Sequence, residues 1–226
     1  MLTTAVRNAS WKKASIGNVP PTVPRPQNGP LDMMGAQMSF PRNAEIYGEG
    51  EAAEYIYRVV SGSVRTYKVL ADGRRQVGGV YLAGDMFGLE PGDEHTFSAE
   101  AMVESKVLVI KRSAVTALAE RDTEVARQLW NLTGRELRRV QDHILLLIKS
   151  AHERVASFLL EMAGRESGGS AVDLPMSRQD IADYLGLTIE TVSRTLSHME
   201  SLATIEVPSS RRIVLRNRAA LNRLNA

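Results

Sequence analysis

The sequence predicts an α+β protein in three parts: an N-terminal β-roll of the jelly-roll (double-stranded β-helix) type, one long helix, and a small C-terminal unit of helices and strands. Three observations carry this. Between Met38 and Arg112, short segments rich in Val, Ile and Tyr alternate with glycine-containing turns, the texture of a closed sandwich or roll with few open edges. From Glu124 to about Ser150 there is no proline, and the apolar residues switch to helical spacing. Beyond a Gly/Ser-rich stretch at 166–171, two helical patterns meet at Gly186 and a pair of β-rich pieces follows.

Taken in order, residues 1–30 include "NVPPTVPRPQNGP" and follow neither helical nor alternating spacing, so they read as a disordered, proline-rich arm. Residues 31–122 form the roll. Within it Asp72-Gly73, between "RTYKVL" and "RQVGGVY", marks a hairpin, because such tight turns need positive φ values that glycine adopts cheaply. Residues 123–150 form the long helix, where Trp130, Thr133, Leu137, Val140, Ile144 and Leu147 recur at steps of 3, 4, 3, 4 and 3. That is a heptad seam, the pattern of a dimerisation helix meeting its twin in a parallel homodimer. A single long core helix in a monomer is the alternative. A second apolar stripe, Val125, Leu129 and Leu132, is left to rest on the roll. Residues 151–226 complete the chain as a separate α+β domain.

With 43% hydrophobic and 24% charged residues, the 226-residue chain has material for one or two compact cores. It contains no cysteine, which removes disulfides, thiolate metal sites and thiol nucleophiles and suits a reducing, cytoplasmic setting. The longest apolar run, Ile144 to Ile148, falls far short of the roughly 18–20 residues a membrane span needs, and no signal-peptide pattern opens the chain. No membrane partner is expected. The net charge of +2 conceals a gradient: residues 1–30 hold Arg7, Lys12, Lys13 and Arg25 and no acid, the middle of the chain is acidic, and the C-terminal part is basic again. Such asymmetry permits a nucleic-acid surface at one end.

The segment "MSRQDIADYLGLTIETVSRTLSHME" carries the function. Ser177 with Asp180 three residues on is a helix-start signature, and Ile181, Ala182 and Leu185 supply that helix's buried face. Gly186 permits the tight turn. Thr188 can cap a second helix whose apolar side is Val192, Leu196 and Met199. Ala182, Gly186 and Val192 stand where two steeply crossing helices need a small residue, a turn residue and a branched core residue, which is the helix-turn-helix motif.

If Val192, Leu196 and Met199 face inward, then Glu190, Ser193, Arg194 and Ser197 form one outward polar stripe that begins at the helix N-terminus. In a DNA major groove an arginine can donate two hydrogen bonds to guanine O6 and N7, and a carboxylate can accept from cytosine N4. Arg194 and Glu190, one turn apart, suit the two strands of one G·C pair or adjacent pairs. After this helix comes "TIEVPSSRRIVLRNR", two β-rich pieces with Arg211, Arg212, Arg216 and Arg218 close behind the turn. It has the form of a wing whose arginines can neutralise phosphates, and the C-terminal domain is therefore expected to be a winged helix-turn-helix.

From about residue 31 onward the sequence resembles the CRP/FNR superfamily of bacterial transcription regulators, on "FPRNAEIYGEGEAAEYIYRVVSGSVRTYKVLADGRRQVGGVYLAGDMFG", on "QDHILLLIKSAHERVASFLL" and above all on "RQDIADYLGLTIETVSR". Glu190, Ser193 and Arg194 match the E-x-x-S-R run of the FNR and FixK branch. The resemblance implies a cyclic-nucleotide-binding-like roll and a homodimer on double-stranded DNA. It also implies that Glu190, Ser193 and Arg194 read a TTGAT-like half-site, that Ser177, Arg178, Thr188 and Thr191 sit on phosphates, and that RNA polymerase is the partner in activation. Arg211 and Arg212 are expected on phosphates as wing residues.

Three sensing chemistries of the family can be weighed against the residues. An iron-sulfur cluster needs cysteines, and there are none. Cyclic-nucleotide binding in the family uses a Glu shortly after "FG" and an Arg-Ser or Arg-Thr pair on the phosphate; here Phe87-Gly88 is followed by Leu89, Glu90 comes one place late, and "DEHTFSAEA" holds no arginine. For haem, His95, His143, His152 and His198 are scattered. The chain thus looks most like the FixK branch, which carries no cluster and acts without an obvious small effector, and no cofactor is expected. A cyclic-nucleotide- or haem-dependent regulator is the runner-up. A metal-binding or catalytic roll is disfavoured, because the sequence offers no H-x-H pair, no phosphate-cradling Gly loop and no Ser-His-Asp grouping.

Overall fold

A computed structural model describes residues 34–165 and 169–225; the arm expected at 1–30 lies outside the described residues. Eight strands make the roll: β1 (Ala36–Phe40), β2 (Glu45–Tyr47), β3 (Tyr55–Ser61), β4 (Ser63–Val69), β5 (Arg75–Leu82), β6 (Met86–Phe87), β7 (Ser98–Ala101) and β8 (Ser105–Lys111). They pair antiparallel in two sheets, β1-β8-β3-β6 and β2-β7-β4-β5. Tyr47, Tyr57, Val59, Val64, Phe87 and Val107 fill the space between them.

The expected hairpin is present. β4 and β5 are joined through Leu70 to Arg74, Gly73 has φ +82°, and the Asp72 carboxylate accepts from the Arg74 backbone N–H and Nε. At Gly62, between β3 and β4, φ is +84° and a Cβ would lie 2.7 Å from Ser105 Cα, so both conformation and space demand glycine.

Two helices follow the roll, α1 (Arg112–Ala119) and α2 (Thr123–Leu147). Asp122 caps α2 by accepting from the N–H groups of Glu124 and Val125. Val125 is fully buried with Ile56, Leu108 and Ile110 of the roll, and Leu129 and Leu132 pack beside it, so this stripe rests where the sequence spacing put it. The helix ends at Leu147 rather than at about Ser150. Ser150 instead caps a new helix, α3 (Ala151–Arg165), by donating its N–H to the Glu153 carboxylate and accepting from the Glu153 N–H.

The C-terminal unit consists of α3, β9 (Ala171–Asp173), α4 (Arg178–Leu185), α5 (Ile189–Ser201), β10 (Ile205–Ser209), β11 (Arg212–Leu215) and α6 (Arg218–Asn225). Its sheet, ordered β10-β11-β9, has three strands where the sequence suggested a pair. Helix α6 was not expected either; it is held against α3 by the fully buried Leu221. The core of this unit, with Phe158, Leu159, Met176 and Ile213, is continuous with Val77, Val80 and Met102 of the roll.

Candidate nucleic-acid interface

Local chemistry builds the α4–turn–α5 element as its sequence requires. The Ser177 hydroxyl accepts from the Asp180 N–H and the Asp180 carboxylate accepts from the Ser177 N–H, a capping box. Ile181, Ala182 and Leu185 are buried. Gly186 ends the helix at φ +61°, the left-handed conformation that lets the chain turn sharply. The Thr188 hydroxyl then caps α5 by accepting from the Thr191 N–H at 3.2 Å.

On α5, Val192, Thr195, Leu196 and Met199 are buried, while Glu190, Ser193, Arg194 and Ser197 are exposed. Ile189, Glu190, Ser193 and Arg194 together line a shallow open depression. Among the described residues neither Ser193 nor Arg194 makes a side-chain hydrogen bond. The Glu190 carboxyl is held below the usual range by its own N–H at the helix start and by the Thr188 hydroxyl, so it is ionised at neutral pH. A carboxylate, a hydroxyl and a guanidinium thus stand on one exposed face, close to a helix N-terminus.

The residues expected at phosphates divide. Thr188 is exposed and Thr191 half-buried, their hydroxyls 3.1 Å apart. Arg178 is half-covered, with Nη1 buried and unpartnered, and burial lowers its pKa. The Ser177 hydroxyl donates to Asp180 Oδ2 at 2.7 Å, which leaves its proton engaged within the helix cap. In the wing, Arg212 is exposed and 3.7 Å from Asp173, whereas Arg211 is half-buried. Arg216 points back to Glu206, its Nε donating at 2.8 Å.

The seam residues lie on an open face of α2: Trp130 is 80% exposed, Leu137 58% and Ile144 58%. Thr133 and Val140 are exposed as well, and Leu147 is half-buried. From Thr133 onward these residues also border a cavity of about 460 Å³ between α2 and the roll. Tyr47, Tyr81 and Phe87 give it an aromatic wall; Glu90, Thr96 and Glu136 are among its polar groups, and no arginine lines it among the described residues. His95 is buried face to face on Tyr47, ring centroids 3.6 Å apart. No group of three or more His, Asp or Glu able to hold a metal occurs among the described residues, and no helix there is long and apolar enough to cross a membrane.

The sequence did not reveal the contacts that fasten this element to the rest of the molecule. Arg154 of α3 donates to the Leu185 and Gly186 carbonyls at the end of α4. His143 of α2 donates to the Tyr184 carbonyl at 2.7 Å and stacks on its ring. At the other end of α4, Arg65 and Arg75 of the roll bind Asp180 and Asp183. All join residues far apart in the chain, which no local pattern reports.

Comparison with known proteins gives two family matches: residues 37–122 to the cyclic nucleotide-binding domain and residues 153–224 to the Crp-like helix-turn-helix domain. The nitrogen fixation regulation protein FixK of Azorhizobium caulinodans is 52% identical over 199 residues, covering 85% of this chain and 80% of that protein. FixK of Rhizobium meliloti is 40% identical, covering 87% and 91%. Among solved structures, FixK2 from Bradyrhizobium japonicum superposes with a TM-score of 0.82 at 51% identity, covering 85% of this chain and 98% of that one. A CRP-family transcriptional regulator from Thermus thermophilus superposes at 0.69 with 31% identity, covering 83% and 96%.

Proposed function

This chain belongs to the CRP/FNR family of DNA-binding transcription regulators and is similar to its FixK members, and from that premise we propose that it acts in the cytoplasm as a homodimeric activator on a TTGAT-like inverted repeat. The observation that carries the reading is the division of α5 into a buried face of Val192, Leu196 and Met199 and an exposed stripe of Glu190, Ser193 and Arg194. Those three side chains read base edges. Ser177, Arg178, Thr188, Thr191, Arg211 and Arg212 hold phosphates.

Dimerisation is supported by the open apolar stripe on α2, since Trp130, Leu137, Val140 and Ile144 gain most by leaving water against a second copy. Two recognition helices then enter successive major grooves about 34 Å apart. Action without a cyclic nucleotide is supported by the lining of the roll cavity, where Glu90 and Glu136 would face a phosphate and no arginine among the described residues would compensate it. Contact with RNA polymerase follows from the family resemblance.

A footprint of the purified protein on promoter DNA, with no added ligand, tests the reading. Protection of two half-sites one helical turn apart is the expected result. Protection that requires cyclic AMP or haem would refute the effector-free reading, and protection without sequence preference would refute the assignment of α5.

A further inference from the structure

The N-terminal half of α4 is joined to the roll by a compact charge cluster. Asp180 is the centre of it. Its Oδ1 accepts from Arg65 Nη1 at 2.8 Å and from Arg75 Nη2 at 2.6 Å, while Oδ2 accepts from the Ser177 N–H and hydroxyl at 2.9 and 2.7 Å. Four donors use the acceptor capacity of one carboxylate, two from the roll and two from the start of α4 itself. Arg75 Nε donates to Asp183 Oδ2 at 2.7 Å, one helical turn further along, so a single guanidinium spans two acids of α4. Arg65 is anchored in turn by Glu100, its cross-strand neighbour on β7, at 2.7 Å. The Arg65, Asp180 and Asp183 side chains are each no more than 9% exposed.

A buried ion cluster contributes little net stability, because desolvation offsets most of the attraction and apolar residues would fill the same space at no loss. What it supplies is definition of geometry. A forked guanidinium bound to two carboxylates fixes distance and rotation together, which a sliding apolar contact does not. The need for such definition is visible in the backbone: α2 ends at Leu147 and α3 starts at Ala151, so the helix-turn-helix hangs beyond a break in the helical path.

We propose that Arg65 and Arg75 are positioning residues for DNA recognition, holding α4 on the β4–β5 hairpin and so setting the angle and separation at which α5 meets the duplex. They touch no base or phosphate. Their role is to make the protein selective for the distance between half-sites. The proposal rests on the dimeric, DNA-reading function above, and it locates part of the specificity of that function in the roll.

The test uses the full chain and three duplexes carrying two TTGAT-type half-sites, one at the preferred spacing and two with a spacer one base pair longer or shorter, plus a duplex with a single half-site. Each added base pair rotates one half-site by about 35° relative to the other, as a repeat of 10–10.5 base pairs per turn requires. Wild-type protein is expected to prefer one spacing strongly. Arg75→Gln is expected to reduce that preference by roughly tenfold, within the range of coupling between directly bonded residues, with single-half-site affinity unchanged. Arg75→Lys, which keeps the charge but lacks the fork, is expected to fall between. Asp183→Asn combined with Arg75→Gln should lose no more than Arg75→Gln alone.

Unaltered spacing preference in a folded Arg75→Gln protein would overturn the proposal, and so would equal loss on every duplex, the mark of a merely structural role. Should Arg75→Gln fail to fold, Arg75→Lys and Asp183→Asn decide by the same criterion. If wild-type protein shows no preference for paired half-sites over scrambled DNA, the function proposed above falls and this inference with it; a wild-type preference that the variants retain removes this inference alone.

Discussion

On α4 both carboxylates, Asp180 and Asp183, are covered and bonded to arginines of the roll, whereas on α5 Glu190 and Arg194 stand in solvent and, among the described residues, have no partner beyond their own helix and its Thr188 cap. The helices are joined by a single tight turn at Gly186. A charge already paired inside the protein must be stripped of its partner before it can meet another molecule, while an unpaired surface charge exchanges only water. The contrast assigns different work to each helix: α4 fixes the element in place, and α5 presents it.

The largest expected effect comes from breaking the paired side. Asp180→Ala leaves Arg65 and Arg75 without their shared acceptor in a covered site and removes the capping box, and should cost about 3–5 kcal/mol of stability, as loss of one partner of a buried ion pair does; urea unfolding measures it. The pH dependence of the same group has a defined sign. Burial alone would raise the Asp180 carboxyl, but hydrogen bonds from Ser177 and the charges of Arg65 and Arg75 outweigh it and hold the carboxyl below its ordinary value. Its contribution is therefore complete at neutral pH and disappears only as pH falls through the folded-state pKa, below the ordinary Asp value of about 3.9. The difference in Tm between wild type and Asp180→Asn should stay constant between about pH 8 and 5, which brackets the range above that value, and shrink only in stronger acid.

Thr188→Ala sharpens the comparison from the presenting side. It removes the α5 cap and should cost about 1 kcal/mol in thermal or urea unfolding. Because the Thr188 hydroxyl also helps to hold Glu190 ionised, the Glu190 carboxyl should rise toward its ordinary value in a carboxyl-resolved NMR titration. Arg212→Ala should have the smallest effect, weakening specific and scrambled DNA alike and reducing the salt slope of binding by about 1.

The parts of this molecule legible in the sequence are those set by neighbours in the chain. Asp72-Gly73 announced its hairpin because a turn of that kind has few chemical solutions. Ser177, Gly186 and Thr188 marked the ends of α4 and α5 because caps are local hydrogen bonds, and Val192, Leu196 and Met199 gave the orientation of α5 by spacing alone. The three-residue β9 and the short α6 escaped because each is held by partners distant in the chain, β11 and α3, rather than by a strong pattern of its own. The Arg65–Asp180 pair spans 115 residues, and nothing near either residue announces the other. The end of the long helix was read at about Ser150 rather than Leu147 for a different reason: the apolar run through Ile148 continues the helical spacing, while the cap that starts α3 at Ser150 is a single serine.

Equilibrium binding of Arg194→Ala, measured by fluorescence anisotropy on a symmetric TTGAT-type inverted repeat and on a scrambled duplex at one salt concentration, bears most directly on what α5 does. A loss of about 1–3 kcal/mol on the specific site, with relaxed selection at one base pair of each half-site and scrambled DNA nearly unaffected, is the predicted result. Equal losses on both duplexes would contradict it, for Arg194 would then be a phosphate contact and the exposed stripe would carry no sequence information.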